Sequence, residues 1–150
     1  MITYPGLPAP TITDHMTFAQ SSDRYGKGTE FRIGRIEMVA NTGTYLDTPA
    51  HRYRDGIDLA MVGLGAFADL PGLVVSVDGF AIDHVPTGDL EGKAVLFSTG
   101  WSRHWGTETY GAVEHPHLTQ GAALALANAG VGLVGIDSVN IDSTTNGERP

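Results

Sequence analysis

A chain of 150 residues, 41% hydrophobic and only 17% charged, can bury a core, which argues against disorder. Its net charge of −8, with nine scattered basic residues, excludes the clustered Lys/Arg surface that a nucleic-acid partner needs. With no cysteine there is no disulfide framework or thiolate metal site, and the apolar runs are too short to span a bilayer.

In chain order, MITYPGLPAP lacks the basic head and long apolar centre of a signal peptide, so a cytoplasmic location is expected. Twenty glycines and eight prolines spread along the chain predict many turns between short elements. EFRIGRIEMVA, residues 30–40, alternates, but the phase changes at Gly34: Phe31 and Ile33 share one face, Ile36 and Met38 the other. This predicts a strand with a bulge or bend at Gly34. The stretch from Asn41 to His51 then falls at a strand end and the turn after it, where functional side chains are often presented.

Further on, GLVVSV, KAVLFSTG and VGLVGID are short β-branched runs bounded by Gly and Asp, as buried strands are. Between the last two, LTQGAALALANAG predicts a helix with Thr119 as N-cap, Ala122, Leu126 and Ala129 on one face, and Gly130 as C-cap. The stretch from Trp101 to His117 has no clear period and reads as a surface loop. Strand, helix, strand predicts an α/β or α+β domain.

The chemistry concentrates in NTGTYLDTPAHRYRDG, residues 41–56. Asp47 and His51 stand four residues apart, with Pro49 between them removing one donor, which argues against a regular helix there. Gly43 permits a sharp turn before them. A carboxylate and an imidazole brought together in this way can ligate a cation, or can act as an acid/base pair in which Asp47 orients His51. A hydrogen-bonded turn histidine is the plain alternative. Arg52 and Tyr53 can bind a product carboxylate, or serve as solvated surface. Tyr4 and Trp101 can form a flat wall for an aryl substrate, or be core. His115 and His117 read as structural or exposed, and Asp137 and Asp142 as capping and turn residues.

Asn41-Thr42-Gly43-Thr44-Tyr45-Leu46-Asp47-Thr48-Pro49-Ala50-His51 resembles the signature His-x-Gly-Thr-His-x-Asp-x-Pro-x-His of the cyclase family, which includes bacterial kynurenine formamidase and isatin hydrolase. YPGLPAP, TGWSRHWGT, HPHLT and VGLVGIDSVNID extend the likeness over most of the chain. The resemblance implies a swivelling β/β/α-type α/β fold with a mixed sheet and few helices, in a homodimer. It also implies a hydrolase that makes a carboxylate from an amide, formamide or lactam, as an arylformamidase of tryptophan catabolism does, with a small-molecule substrate.

In the family the first two His and the Asp bind a divalent metal, zinc or manganese, and the last His transfers a proton. By position Asp47 inherits a ligand role and His51 the proton-transfer role, while Asn41 and Tyr45 stand where two ligand imidazoles would be. Their neutral carbonyl and phenol lower zinc affinity and favour harder cations. A protein that keeps the pocket but not the metal, or an inactive fragment, is the alternative. Compared with the family, the chain is expected to be a single domain lacking a first strand before YPG and a segment beyond GERP.

Overall fold

The structure, a computed structural model, describes residues 4–145. Met1 and the Gly147 to Pro150 stretch, on which the expectation of short ends rests, lie outside the described residues. The chain divides into two compact units, Met1–Tyr45 and Leu46–Pro150.

In the first unit, β1 (Thr11–Met16) pairs antiparallel with β2 (Ile33–Glu37), and α1 (Phe18–Arg24) lies between them in the sequence. β1 and α1 carry no clear periodic signal, and TITDHM offers only two large apolar side chains to set a period. The start of α1 is nevertheless locally encoded. Thr17 Oγ1 accepts from the Gln20 amide at 3.2 Å while Gln20 Oε1 accepts from the Thr17 amide at 2.8 Å, a complete capping box. Buried Ser21 ties the helix to residue 31: the Phe31 amide donates to its Oγ at 2.8 Å, and Oγ faces the Phe31 carbonyl at 2.7 Å.

The irregularity expected at Gly34 lies on the opposing strand. Asp14 pairs with Gly34 and Met16 with Ile33, so His15 is the extra residue and β1 carries the bulge. All five residues of β2 are exposed. Its alternation therefore does not divide a buried face from a wet one, and Ile12 and Ile36, which are register partners, stand 70% and 68% exposed.

The second unit holds α2 (Pro49–Arg52), β3 (Gly72–Ser76), β4 (Ala81–Ile82), β5 (Ala94–Ser98), β6 (His117–Leu118), α3 (Gln120–Asn128) and β7 (Leu133–Ile136). Strands β3, β5 and β7 form a parallel sheet with β5 in the centre, and β4 pairs with β6 in a second, two-stranded parallel sheet. With the antiparallel β1–β2 ribbon and few helices, this is the α/β class expected. The stretch from Trp101 to His117 is not wholly irregular, since it contains a 3-10 turn at Trp101–His104 and runs into β6.

Helix α3 forms where its caps predict. Thr119 Oγ1 accepts from the Ala122 amide at 3.3 Å. At the other end the C-cap is Ala129, one residue earlier than expected. Gly130 follows it at φ +72°, with its amide on the Ala127 carbonyl and the Val131 amide on the Leu126 carbonyl, a Schellman ending. Ala122 and Leu126 pack with Val95 and Phe97 from the central strand and with Ile82 and Leu90 to make the core. Each fully buried Leu or Phe in it contributes about 1.5–3 kcal/mol.

Among the described residues the two faces of this sheet are covered unequally. Val95 and Phe97 are buried, whereas Val74 and Leu96, pointing the other way, are 66% and 38% exposed. The apolar runs that predict strands buried on both faces thus overstate their burial, because a parallel strand's composition does not say which face its neighbours reach. The parallel register brings the C-terminal ends of β3, β5 and β7 to one edge, the edge at which open parallel sheets present ligand-binding loops. Among the described residues, no helix is long and apolar enough to cross a membrane.

Candidate functional site

Pro49 does not prevent a helix; it begins one. Thr48 is the extended N-cap and Pro49 takes the first helical position, where its missing N–H leaves no bond unmade. The Tyr53 amide closes the turn on the Pro49 carbonyl at 2.8 Å. One turn separates Asp47 from His51, and their side chains meet, with Asp47 Oδ1 3.4 Å from His51 Nδ1. The pair is open to water, at 52% exposure for His51 and 45% for Asp47.

What holds α2 in place was not read from the sequence. The Ala50 amide bonds the Ile57 carbonyl at 3.1 Å, and Gly56 packs so closely that a Cβ on it would lie 2.5 Å from the Pro49 carbonyl carbon. The Asp55-Gly56 turn signal was present, but its partner could be known only from the folded chain. Beyond His51, the Arg52 guanidinium lies 5.7 Å from the centre of the Tyr53 ring, and Tyr53 is exposed.

In the first unit, Tyr4 is half-buried, and its carbonyl accepts from the Leu7 amide at 3.2 Å in a turn. Gly43 takes φ +82°, the left-handed conformation its place in the motif predicts. Across that turn Asn41 Nδ2 donates to the Tyr45 hydroxyl at 3.2 Å. A metal centre would require these two side chains to direct lone pairs at one point; here one donates to the other. An amide and a phenol in place of two imidazoles do not fit a zinc centre. Among the described residues, no three His, Asp or Glu side chains are grouped as metal ligands would be.

Trp101 is buried, not a free wall: its indole Nε1 donates to the Tyr110 carbonyl at 3.2 Å. Its ring contacts Phe80 edge-on at 5.8 Å and His104 at 4.8 Å. This cluster sits beyond β5, on a turn clamped by Asp137 from the end of β7. Asp137 Oδ1 accepts from the Thr99 amide at 2.8 Å and from the Thr99 hydroxyl at 2.5 Å, and Oδ2 faces the Ser102 amide at 3.5 Å. Partial burial pushes the Asp137 carboxyl upward, but the donors of Thr99 and Ser102 outweigh it and hold the group below the usual carboxylate range. The Trp101 amide in turn donates to Thr99 Oγ1 at 3.1 Å. Asp137 is therefore more than a local turn residue.

His115 is buried with its ring nitrogens 3.1 Å from the Ala112 and Asp142 carbonyl oxygens, and His117 Nδ1 lies 2.9 Å from the His115 carbonyl. Both are occupied in bracing the backbone, as expected.

Compared with known proteins, the chain matches the cyclase family model over residues 3–143. It is 27% identical over 146 residues to a kynurenine formamidase of Erythrobacter litoralis (strain HTCC2594), an alignment covering 92% of this chain and 63% of that protein. It is 30% identical over 122 residues to a kynurenine formamidase of Geobacillus thermodenitrificans (strain NG80-2), covering 79% and 56% respectively. The chain thus spans less than two thirds of the length of these relatives. A solved structure described as a potential metal-dependent hydrolase with cyclase activity shares the fold, with a TM-score of 0.63 at 24% identity over 93% of this chain and 73% of that one.

Proposed function

Because the chain belongs to the cyclase family, we propose that it hydrolyses an amide, formamide or lactam C–N bond, with His51 as general base and acid and Asp47 as its orienting partner. The observation that carries this reading is the meeting of Asp47 Oδ1 and His51 Nδ1 at 3.4 Å on a solvent-open turn, at the two motif positions. Kinship to two kynurenine formamidases makes an aryl formamide the first substrate to try.

With Nδ1 facing the carboxylate, the hydrogen belongs on Nδ1 and Nε2 keeps a lone pair for water. In the forward step Nε2 takes a proton from water as the oxygen adds to the acyl carbon. The tetrahedral intermediate then expels the amine, whose nitrogen receives that proton from His51, leaving a free amine and a carboxylic acid that releases its remaining proton to solvent to become the carboxylate. In the family a divalent metal stabilises the developing oxyanion. The amide of Asn41 and the phenol of Tyr45 do not fit that role as zinc ligands.

The contact between Asn41 and Tyr45 favours a second reading, a small-molecule-binding protein without turnover. Assay of N-formylkynurenine and an isatin-like lactam, with metal analysis of the purified protein, separates the two. Under the first reading the wild type turns over at least one of them and His51→Ala loses about 100-fold or more in kcat. An unchanged rate in His51→Ala removes the assignment, and no turnover with or without added zinc or manganese favours the binder.

A further inference from the structure

The loop beyond β5 carries an exposed cation that the turn holds in place. Arg103 is exposed and, like Arg24, Lys27 and Arg54, has no salt bridge to a carboxylate among the described residues. Its guanidinium is nonetheless held. Nε donates to His104 Nε2 at 3.1 Å, which makes that nitrogen the acceptor and puts the ring hydrogen on Nδ1. Nη1 lies 3.4 Å from where a Cβ on Gly100 would stand, so the missing side chain makes room for it. Gly100 itself sits at φ +71°, and Asp137 fixes the backbone on both sides of it through Thr99 and Ser102.

We propose that Arg103 is a carboxylate-recognition residue, and that the ligand it takes is an aryl group bearing a carboxylate. The terminal nitrogens of a guanidinium anchored at Nε present donors in a fixed fork, which matches a carboxylate's two oxygens. Next to it Phe80, about half exposed, and the half-buried His104, both in contact with Trp101, supply an aromatic ledge. The place is the C-terminal end of the parallel strands, where such domains receive ligands. Arg52 is the less suitable candidate, being stacked on the exposed ring of its own neighbour Tyr53. This inference rests on the hydrolase reading only in that it names the charge of the substrate.

The chain's two tryptophans are Trp101 and Trp105, so tryptophan emission, excited beyond the tyrosine absorption band, reports on this loop. Titration of the intact protein with 3-phenylpropanoate should give a saturable change, with binding about tenfold or more tighter than for 3-phenylpropanamide. Arg103→Gln should abolish that preference, Arg103→Lys should keep only part of it because an ammonium lacks the fork, and Arg54→Gln should retain it in full.

Absence of saturable binding in the wild type, or a preference undiminished in Arg103→Gln, overturns the proposal. So does an equal loss in Arg54→Gln, which would mean non-specific charge. If melting curves show that Arg103→Gln does not fold, Arg103→Lys decides, and full preference there overturns the proposal. Hydrolysis of an aryl formamide is assayed separately. Turnover without carboxylate preference defeats Arg103 alone, whereas carboxylate preference without turnover defeats only the hydrolase.

Discussion

Asp47 and Asp137 are both carboxylates beside a turn, yet their surroundings are opposite. Asp47 is half-exposed and faces one imidazole; Asp137 accepts from Thr99 through two donors and faces a third on Ser102. A carboxyl held below its unfolded value stabilises the fold above that value, and the contribution is lost as pH falls through the folded value. For Asp137 that places the loss below about pH 4, the ordinary range for Asp. Asp137→Asn is therefore expected to lower the melting temperature at pH 7 and to narrow the drop between pH 5 and pH 3, as thermal melts across that range would show. An equal acid-induced drop in both proteins would remove Asp137 as the cause. The Asp47 to His51 relation was legible in the sequence because it spans a single turn. The Asp137 to Thr99 relation was not, since 38 residues separate them and only the parallel pairing of β5 and β7 closes the gap.

Among the elements, those with local punctuation were readable. Helix α3 announces itself through Thr119 and Gly130, and only the exact last residue differed. Helix α2 is hidden in the sequence because proline breaks a helix interior yet suits the first helical position, which Pro49 takes. The position of α2 depends on its close approach to Gly56, and this is where a small change should have a large effect. A methyl at 56 would meet Pro49 backbone atoms at 2.5 and 2.6 Å, whereas one at Gly65 would meet nothing within 4 Å. Gly56→Ala is expected to cost about 1–3 kcal/mol and to lower turnover by displacing His51, while Gly65→Ala leaves the rate near that of the wild type. Denaturant melts and the formamide assay would show it. Equal behaviour of the two variants would mean that α2 is not braced as described.

At the scale of the whole molecule, burial is uneven. The second unit has a contiguous core under α3, but among the described residues of the first unit Ser21 alone is buried. The sequence could not show this, since EFRIGRIEMVA alternates just as a half-buried strand does. A two-stranded ribbon with its cross-strand Ile12 and Ile36 both in water has little to keep it from opening. A sparing dose of trypsin turns that difference into a pattern of cuts. Arg24 and Lys27, both exposed in the first unit, should be cleaved well before Lys93, which sits half-buried where the core begins. Mass spectrometry of the early fragments would reveal the order, and early scission at Lys93 would contradict it. The ribbon should thus be lost before β5, the strand that Lys93 precedes, is cut.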